Sequence, residues 1–451
     1  MEMIRPDGMG ILESARRGRL AARRNRSARI TAIVIAALLP VLFFVAGLAP
    51  AKAAASKDIL RATLPNGLRV VIVRNTLAPV VTTVMNYKAG SDQTPVGFPG
   101  MAHAQEHMMF RGSPGLSANQ LANIAAAMGG EFDADTQQTV TQYFFTVPVA
   151  DLNVALHVES IRMRGVLDTD KLWDKERGAI EQEVAQDLSN PEYVFYTKLL
   201  AAMFRGTPYE HDALGSRPSF NKTSGAMLHK FYSDWYAPNN AILVIVGNVD
   251  PHATLAEVKN LFDVIPAKKL PAKPAFSFQP VSSQTLNLKT DLPYGMSLIS
   301  FRMPGSSSPD FAAAEVLADV LSSQRGSLYA LVPAGKALYA GFSLDSLPGA
   351  SLGYAIGAFP KGSDGAQLAE EMRNVLESDI KNGVPADLVA ASKRHELAGA
   401  EFQKNSVSGL AMAWSNALAV EGRQSPQDDV EAIQKVTVAD VNRVAREYLV
   451  Q

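Results

Sequence analysis

The run His103-Ala-Gln-Glu-His107 constrains the fold more than any other part of this chain. Residues four apart lie on one face of an α-helix, so a helix here would direct two imidazoles to the same place. The chain spends two of its seven histidines on this one turn. We therefore predict that they share a ligand and that the fold brings a further ligand to them.

The chemistry of these side chains favours zinc. Nitrogen-rich catalytic sites hold zinc with three protein ligands and one water, whose pKa falls toward about 7. We predict that His103 and His107 bind one zinc ion and that Glu106, beside them, takes a proton from that water as general base. A purely structural zinc site is disfavoured, because such sites usually have four protein ligands and we find three in this chain, two of them in this motif.

The third ligand has to come from elsewhere, and the acidic segment 174–187 is the best candidate. On a helix, Glu176 and Glu183 lie two turns apart on one face, and Asp187 continues that face. One of these acids can bind the metal, and another can accept the N–H of a ligand histidine. Acidic surface helices are common, so the residues alone leave the assignment open.

A length of 451 residues indicates two domains. We predict a zinc-binding domain over 56–264, a proline-rich linker over 265–280 and a second domain over 281–451. The second domain weakly repeats the first, with a strand, a turn and a strand over 285–305 and then a helix over 309–323, but it has no histidine-rich helix. Residues 130–148 read as a strand.

The N-terminal residues 1–55 have the order of segments that is typical of a secretory signal peptide. Arginines precede a 20-residue apolar run, Ile30–Ala49, and small residues follow it. An uncleaved anchor is the alternative, since 20 apolar residues can just span a bilayer. Pro40 and the alanine-rich end of the run favour cleavage. We expect an exported, periplasmic protein, anchored to the membrane if this segment is retained.

Composition adds two exclusions. The chain has no cysteine, so it has neither a thiolate ligand nor a disulfide, and an exported body must rely on a large apolar core. The net charge of −1 gives no reason to expect a nucleic acid partner.

These motifs together resemble the pitrilysin, insulinase and mitochondrial processing peptidase family of zinc metallopeptidases. His-x-x-Glu-His is the inverted zincin motif, and Glu183 lies 76 residues after His107, as the third ligand does in that family. Glu176, followed by Arg177, matches a glutamate that the family places seven residues before the ligand. The segment around Tyr236, Pro238 and Asn240 also matches.

The resemblance implies a fold, a zinc centre and roles for its residues. The fold would be α+β, with two homologous α/β-sandwich halves that form a clamshell and a second half that is an inactive repeat. One Zn²⁺ would be held by His103, His107 and Glu183. Glu106 would be the base and Glu176 a supporting residue.

The resemblance also implies a peptide substrate, bound as an added strand beside Asp133, Ala134 and Thr136. The family usually has asparagine where this chain has Asp133. In the second half, Tyr339 matches the tyrosine of an Arg/Tyr pair that grips the substrate, but Val332 or Pro333 stands at the arginine position. This chain would then be the zinc subunit of a heterodimer with a homologous subunit that carries the pair, or otherwise a homodimer.

Two functions from different classes follow. The first is an exported endopeptidase that cleaves peptides or unfolded segments. The second is a peptide-binding or assembly subunit that holds zinc but does not cleave, which the missing arginine motivates. The intact motif with Glu106 favours the first.

Overall fold

The computed structural model describes residues 58–273 and 275–449. The predicted signal segment, 1–55, lies outside the described residues. Within the two described ranges, no helix is both long enough and apolar enough to cross a bilayer.

The first half is built on a six-stranded sheet in the order β1-β2-β8-β3-β7-β6. Strands β2 and β8 are parallel, and the other pairs are antiparallel. Residues 58–273 contain eight strands, of which β4 and β5 form a small separate hairpin: β1 (Ile59–Thr63), β2 (Arg69–Arg74), β3 (Val80–Tyr87), β4 (Gly112–Ser113), β5 (Leu116–Ser117), β6 (Glu131–Thr136), β7 (Thr141–Pro148) and β8 (Ala241–Gly247).

Both faces of this sheet are buried. Successive side chains of a strand point to opposite faces, so the apolar run of β2 sends Val70 and Ile72 to one core and Val71 and Val73 to another. The first core lies under helices of the same half. The helices of this half are α1 (Met101–Met108), α2 (Ala118–Met128), α3 (Leu152–Arg164), α4 (Asp170–Leu188), α5 (Pro191–Met203), α6 (Arg217–Phe220), α7 (Gly225–Trp235) and α8 (Pro251–Phe262).

The second half has a three-stranded antiparallel sheet in the order β10-β11-β9. Its core lies between this sheet and helices α9, α10, α11, α13 and α14. The elements of this half are β9 (Tyr294–Pro304), α9 (Phe311–Ser322), β10 (Tyr339–Asp345), β11 (Ala350–Pro360), α10 (Gly365–Asn382), α11 (Ala386–Gln403), α12 (Val407–Ser415), α13 (Pro426–Lys435) and α14 (Val438–Tyr448).

The two halves repeat one order of elements. In the first half, β3 and α1 are followed by β6, β7, α3, α4 and α5; in the second, β9 and α9 are followed by β10, β11, α10, α11 and α12. The predicted α+β class and the two related halves are confirmed.

Two strand predictions are corrected. The predicted strand, turn and strand over 285–305 is a single strand, β9. Leu286 and Leu288 alternate as in a strand, but most residues of 281–293 are exposed and the strand begins only at Tyr294. Residues 130–148 form a hairpin of two strands, β6 and β7, rather than one.

The predicted linker, 265–280, has no helix or strand among its described residues. Its first residues nevertheless pack with the first half. Ile265 is 3% exposed, and its carbonyl oxygen accepts a 2.9 Å hydrogen bond from the side chain of Asn66. Lys268 exchanges two hydrogen bonds with the side chain of Asn239.

The halves also exchange helices. Helix α12, from the second half, covers the outer face of the first sheet, where Trp414 packs with Val84 and Val244. In return, α5 of the first half packs on the second sheet, with Leu200 in contact with the cluster that contains Leu352. The two sheets are therefore tied to each other by apolar contacts, beyond the single chain connection between them.

A buried hydrogen bond joins α12 to the first sheet, and its removal provides a test of this exchange. The side chain of Asn86 on β3 donates to Ser415 Oγ at 2.8 Å, and both residues are fully buried. We expect Ser415→Ala to lower the free energy of unfolding by about 1 kcal/mol, measured by urea denaturation. The exposed Ser363→Ala is the control; equal stability of both variants would contradict the contact.

Candidate metal centre

The helix that carries the two histidines is buried along its whole length. All eight residues of α1 are buried, although four of them are polar. Gly100 precedes it with φ of +87°, and a Cβ built there would lie 2.5 Å from the Cα of Gly215. Two glycines therefore permit a close approach of backbones, which brings the adjacent Leu214 carbonyl to the histidines.

The structure brings His103, His107 and Glu183 together. The two Nε2 atoms are 3.2 Å apart, and Glu183 Oε2 lies 3.4 Å from His107 Nε2 and 3.8 Å from His103 Nε2. Ligand atoms about 2.1 Å from one tetrahedral ion stand about 3.4 Å from each other, so this arrangement fits zinc. The histidine side chains are almost fully buried, whereas that of Glu183 is 28% exposed, which leaves access from one side.

The other nitrogen of each histidine is held by the protein. His103 Nδ1 lies 3.0 Å from the carbonyl oxygen of Leu214, and His107 Nδ1 lies 2.7 Å from Glu176 Oε1. A carbonyl oxygen only accepts, so His103 carries its proton on Nδ1 and presents a lone pair at Nε2. Arg111 forms an ion pair with the second oxygen of Glu176 and so holds that carboxylate in place.

Charge at the centre favours a cation. Burial lowers the pKa of His107, but the hydrogen bonds and negative charges of Glu176 and Glu183 outweigh burial and raise that pKa to about 9. Burial of Glu176 raises the pKa of its carboxyl, but His107 and Arg111 outweigh it and hold that pKa below its usual range. Without a metal, the group therefore attracts a proton, and a metal ion would replace that proton.

Glu106 is 2% exposed and lies next to this centre on α1. Thr136 Oγ1, at the end of β6, donates a 2.6 Å hydrogen bond to Glu106 Oε2. The predicted base is thus in contact with β6, which lies at the edge of the six-stranded sheet. Glu106 is not one of the three donors that lie within 4.8 Å of one another.

The residues predicted to contact substrate fall in two places. Asp133 and Ala134 lie on β6 but are only 5% and 1% exposed, and Asp133 Oδ1 accepts the N–H of Ala134 at 2.9 Å. Tyr339 lies in the second half at the start of β10, where it is 37% exposed. Val332, one of the two positions in place of the arginine, packs against the second core.

The sequence analysis missed two residues that orient the candidate ligands His103 and His107. Arg111 follows His107 by four residues, and this interval would place both side chains on one face of a longer helix. Helix α1 ends at Met108, however, so the helical interval does not apply to Arg111. The contact between His103 and the Leu214 carbonyl could not be predicted, because it uses a backbone atom that every residue has.

Two family models match the chain in succession. The model described as insulinase, peptidase family M16, matches residues 69–217, and the model of the peptidase M16 inactive domain matches residues 223–395. The first match contains the whole candidate metal centre, and the second contains most of the second half.

Similar proteins carry related names. An uncharacterized zinc protease of Mycobacterium tuberculosis is 28% identical over 413 residues, 89% of this chain and 93% of that protein. Another, of Streptomyces coelicolor, is 32% identical over 217 residues, a match that spans about half of each chain, 48% here and 47% there. A probable mitochondrial-processing peptidase subunit beta of Arabidopsis thaliana is 25% identical over 264 residues, 58% of this chain and 50% of that one.

Solved structures share the fold. A protease from Helicobacter pylori superposes with a TM-score of 0.80 at 23% identity, over 87% of this chain and 96% of that one. Two family models in succession, relatives named zinc proteases and a fold shared with M16-like proteases lead to one conclusion: the chain belongs to the insulinase family of zinc peptidases, peptidase family M16.

Proposed function

We propose that this protein is a zinc-dependent endopeptidase. The observation that carries the proposal is the convergence of His103, His107 and Glu183 on one point, with Glu106 buried beside them and in contact with an edge strand. Three protein donors and one open side are the arrangement of a catalytic rather than a structural zinc site.

In this proposal His103, His107 and Glu183 hold the metal. When bound there, zinc supplies Lewis acidity, which polarises a carbonyl and lowers the pKa of water. Glu106 takes a proton from the attacking water and returns it to the leaving amine, so that the amide bond breaks as a C–O bond forms. Thr136 orients the Glu106 carboxylate through its 2.6 Å hydrogen bond.

The substrate would be an extended peptide or an unfolded segment. Among the described strands, β6 pairs with β7 alone, so its outer side can accept one more strand. A peptide added there would lie beside Thr136 and hence beside Glu106. Strand addition needs an extended chain, which excludes most folded proteins as direct substrates.

We also propose a homologous partner subunit. Val332 and Pro333 stand where the Arg/Tyr pair would have its arginine, and Val332 packs against apolar residues. Tyr339 alone would contact the substrate from the second half, so a subunit with both residues would complete the site as a heterodimer. A homodimer is the alternative.

We also propose that the protein is exported to the periplasm. This proposal comes from the signal-like order of segments in residues 1–55.

Metal removal tests the proposal. The purified chain is incubated with a quenched-fluorescent peptide library before and after treatment with a zinc chelator, and then with added zinc. We expect cleavage to disappear with the chelator and to return with about one zinc per chain. Zinc binding without cleavage, alone or with a homologous subunit that bears the Arg/Tyr pair, would favour the peptide-binding subunit instead.

The hydrogen bond to Glu176 predicts a second effect. Glu176→Gln removes the carboxylate charge that orients His107 Nδ1 and pairs with Arg111. We expect zinc affinity to fall by about 10–100-fold, measured by competition with a fluorescent chelator. Glu181→Gln is the matched control, because Glu181 lies on the same helix but pairs with Arg217. Unchanged affinity in Glu176→Gln would contradict the role of this bond.

A further inference from the structure

A second group of metal-binding side chains lies in the second half. Asp319 on α9 and His395 and Glu396 on α11 each offer one donor atom, and these three atoms lie within 4.8 Å of one another. His395 Nδ1 is 2.7 Å from Asp319 Oδ2. The side chain of His395 is 63% exposed and that of Asp319 is 15% exposed, so the group opens to solvent on one side.

In the order of elements, this group corresponds to the candidate metal centre of the first half. Helix α9 follows β9 as α1 follows β3, and α11 stands in the repeat where α4 stands. Glu315 and Asp319 are four residues apart on α9, like the two histidines of α1. His395 lies 76 residues after Asp319, the same separation as that between His107 and Glu183.

The face of α9 that carries these acids is unusual for its surroundings. Nine of the twelve residues of α9 are buried, and Glu315 and Asp319 form a partly buried acidic pair among them. Like charges four residues apart destabilise a helix. An acidic pair at this position is therefore unfavourable while both carboxyls are charged, and a positive charge nearby relieves that repulsion.

The neighbourhood is rich in carboxylates. The charges of Glu396, Asp429 and Glu421 act on Glu315, and the charge of Arg423 partly offsets them. Arg423 forms ion pairs with Asp429 and Glu421 and so serves that end of the cluster. The end at Asp319 has the His395 imidazole.

We propose that Asp319, His395 and Glu396 bind a second divalent metal ion, of the zinc class, between α9 and α11. One imidazole and two carboxylates suit such an ion, and the open side leaves room for water. The ion would offset the repulsion between the acids and link two helices of the second core. This site would bind more weakly than the first, because it has one histidine rather than two and is more exposed.

Zinc stoichiometry tests the proposal. Equilibrium dialysis of the whole chain against buffered Zn²⁺, with metal measured by mass spectrometry, counts ions per chain for the wild type, His395→Ala and Asp319→Asn. The matched control is His252→Ala, because His252 is an exposed histidine on α8, outside both groups. Circular dichroism of metal-free samples confirms that each variant folds.

We expect His395→Ala and Asp319→Asn each to bind one zinc fewer than the wild type, because their affinity for the second ion should be at least tenfold weaker. His252→Ala should bind as many as the wild type. Equal zinc counts in the wild type and His395→Ala would overturn the proposal, as would an equal loss in His252→Ala. The comparison changes only residues of the second group, so it holds whether or not the first centre proves catalytic.

Discussion

Glu106→Gln is expected to slow peptide cleavage by about 10²–10⁴-fold while zinc content stays at the wild-type level. Glutamine keeps the shape of the side chain and can still accept the hydrogen bond from Thr136. It cannot take a proton from water. Because Glu106 is not one of the three grouped donors, its loss should not release the metal.

The measurement is the initial rate of cleavage of a quenched peptide, with zinc counted on the same samples. Glu370→Gln, an exposed acid on α10, is the control and should match the wild type. A Glu106→Gln variant that retains a tenth or more of the rate would show that another group is the base. A loss of zinc in that variant would show that Glu106 holds the metal.

Arg162→Ala is expected to have the largest effect on stability. Arg162 is fully buried on α3, and its guanidinium forms a 3.0 Å ion pair with Glu159, which is also buried. The same guanidinium lies over the rings of Tyr143, Phe110 and Phe132, at 4.5, 5.0 and 5.5 Å from their centroids. Removing it leaves a buried carboxylate without its partner and empties the space between three rings.

Breaking a buried ion pair by removing one partner costs about 3–5 kcal/mol, so we expect a loss of that size in urea denaturation. Arg164→Ala, on the same helix but exposed, should lose less than about 1 kcal/mol. The double variant Glu159→Leu, Arg162→Met removes both charges and should recover part of the loss. A single variant as stable as Arg164→Ala would contradict the buried pair.

Local spacing in the sequence predicts the metal centre well. The four-residue interval of His103 and His107 places both rings on one face, and the structure has both Nε2 atoms 3.2 Å apart. Spacing alone left Glu176, Glu183 and Asp187 as alternatives. The structure separates Glu183, 3.4 Å from His107 Nε2, from Glu176, 2.7 Å from His107 Nδ1, and only tertiary packing determines which carboxylate meets which nitrogen.

Other parts of the site could not be predicted, because they depend on contacts between distant segments. The carbonyl of Leu214 reaches His103 only through the close approach of Gly100 and Gly215. The rings around Arg162 come from β6, β7 and the turn that follows α1. The exchange of α5 and α12 between halves has no local signal either, because a helix buries the same apolar face on either sheet.

The first strand of the predicted strand, turn and strand over 285–305 was wrong for the same reason. Two alternating leucines suit a strand locally, but a strand also needs a neighbour to bond with and a core to cover. Most of that segment is exposed, and β9 begins only at Tyr294.

The most direct test of the account measures zinc content and peptide cleavage together in the wild type and in Glu183→Gln. Glu183 is the proposed ligand that the histidine motif does not contain, and its Oε2 lies 3.4 Å from His107 Nε2. We predict that the wild type holds zinc at the first centre and cleaves, and that the variant loses both. A Glu183→Gln variant that keeps its zinc and its activity would contradict the assignment of His103, His107 and Glu183 as a single catalytic metal centre.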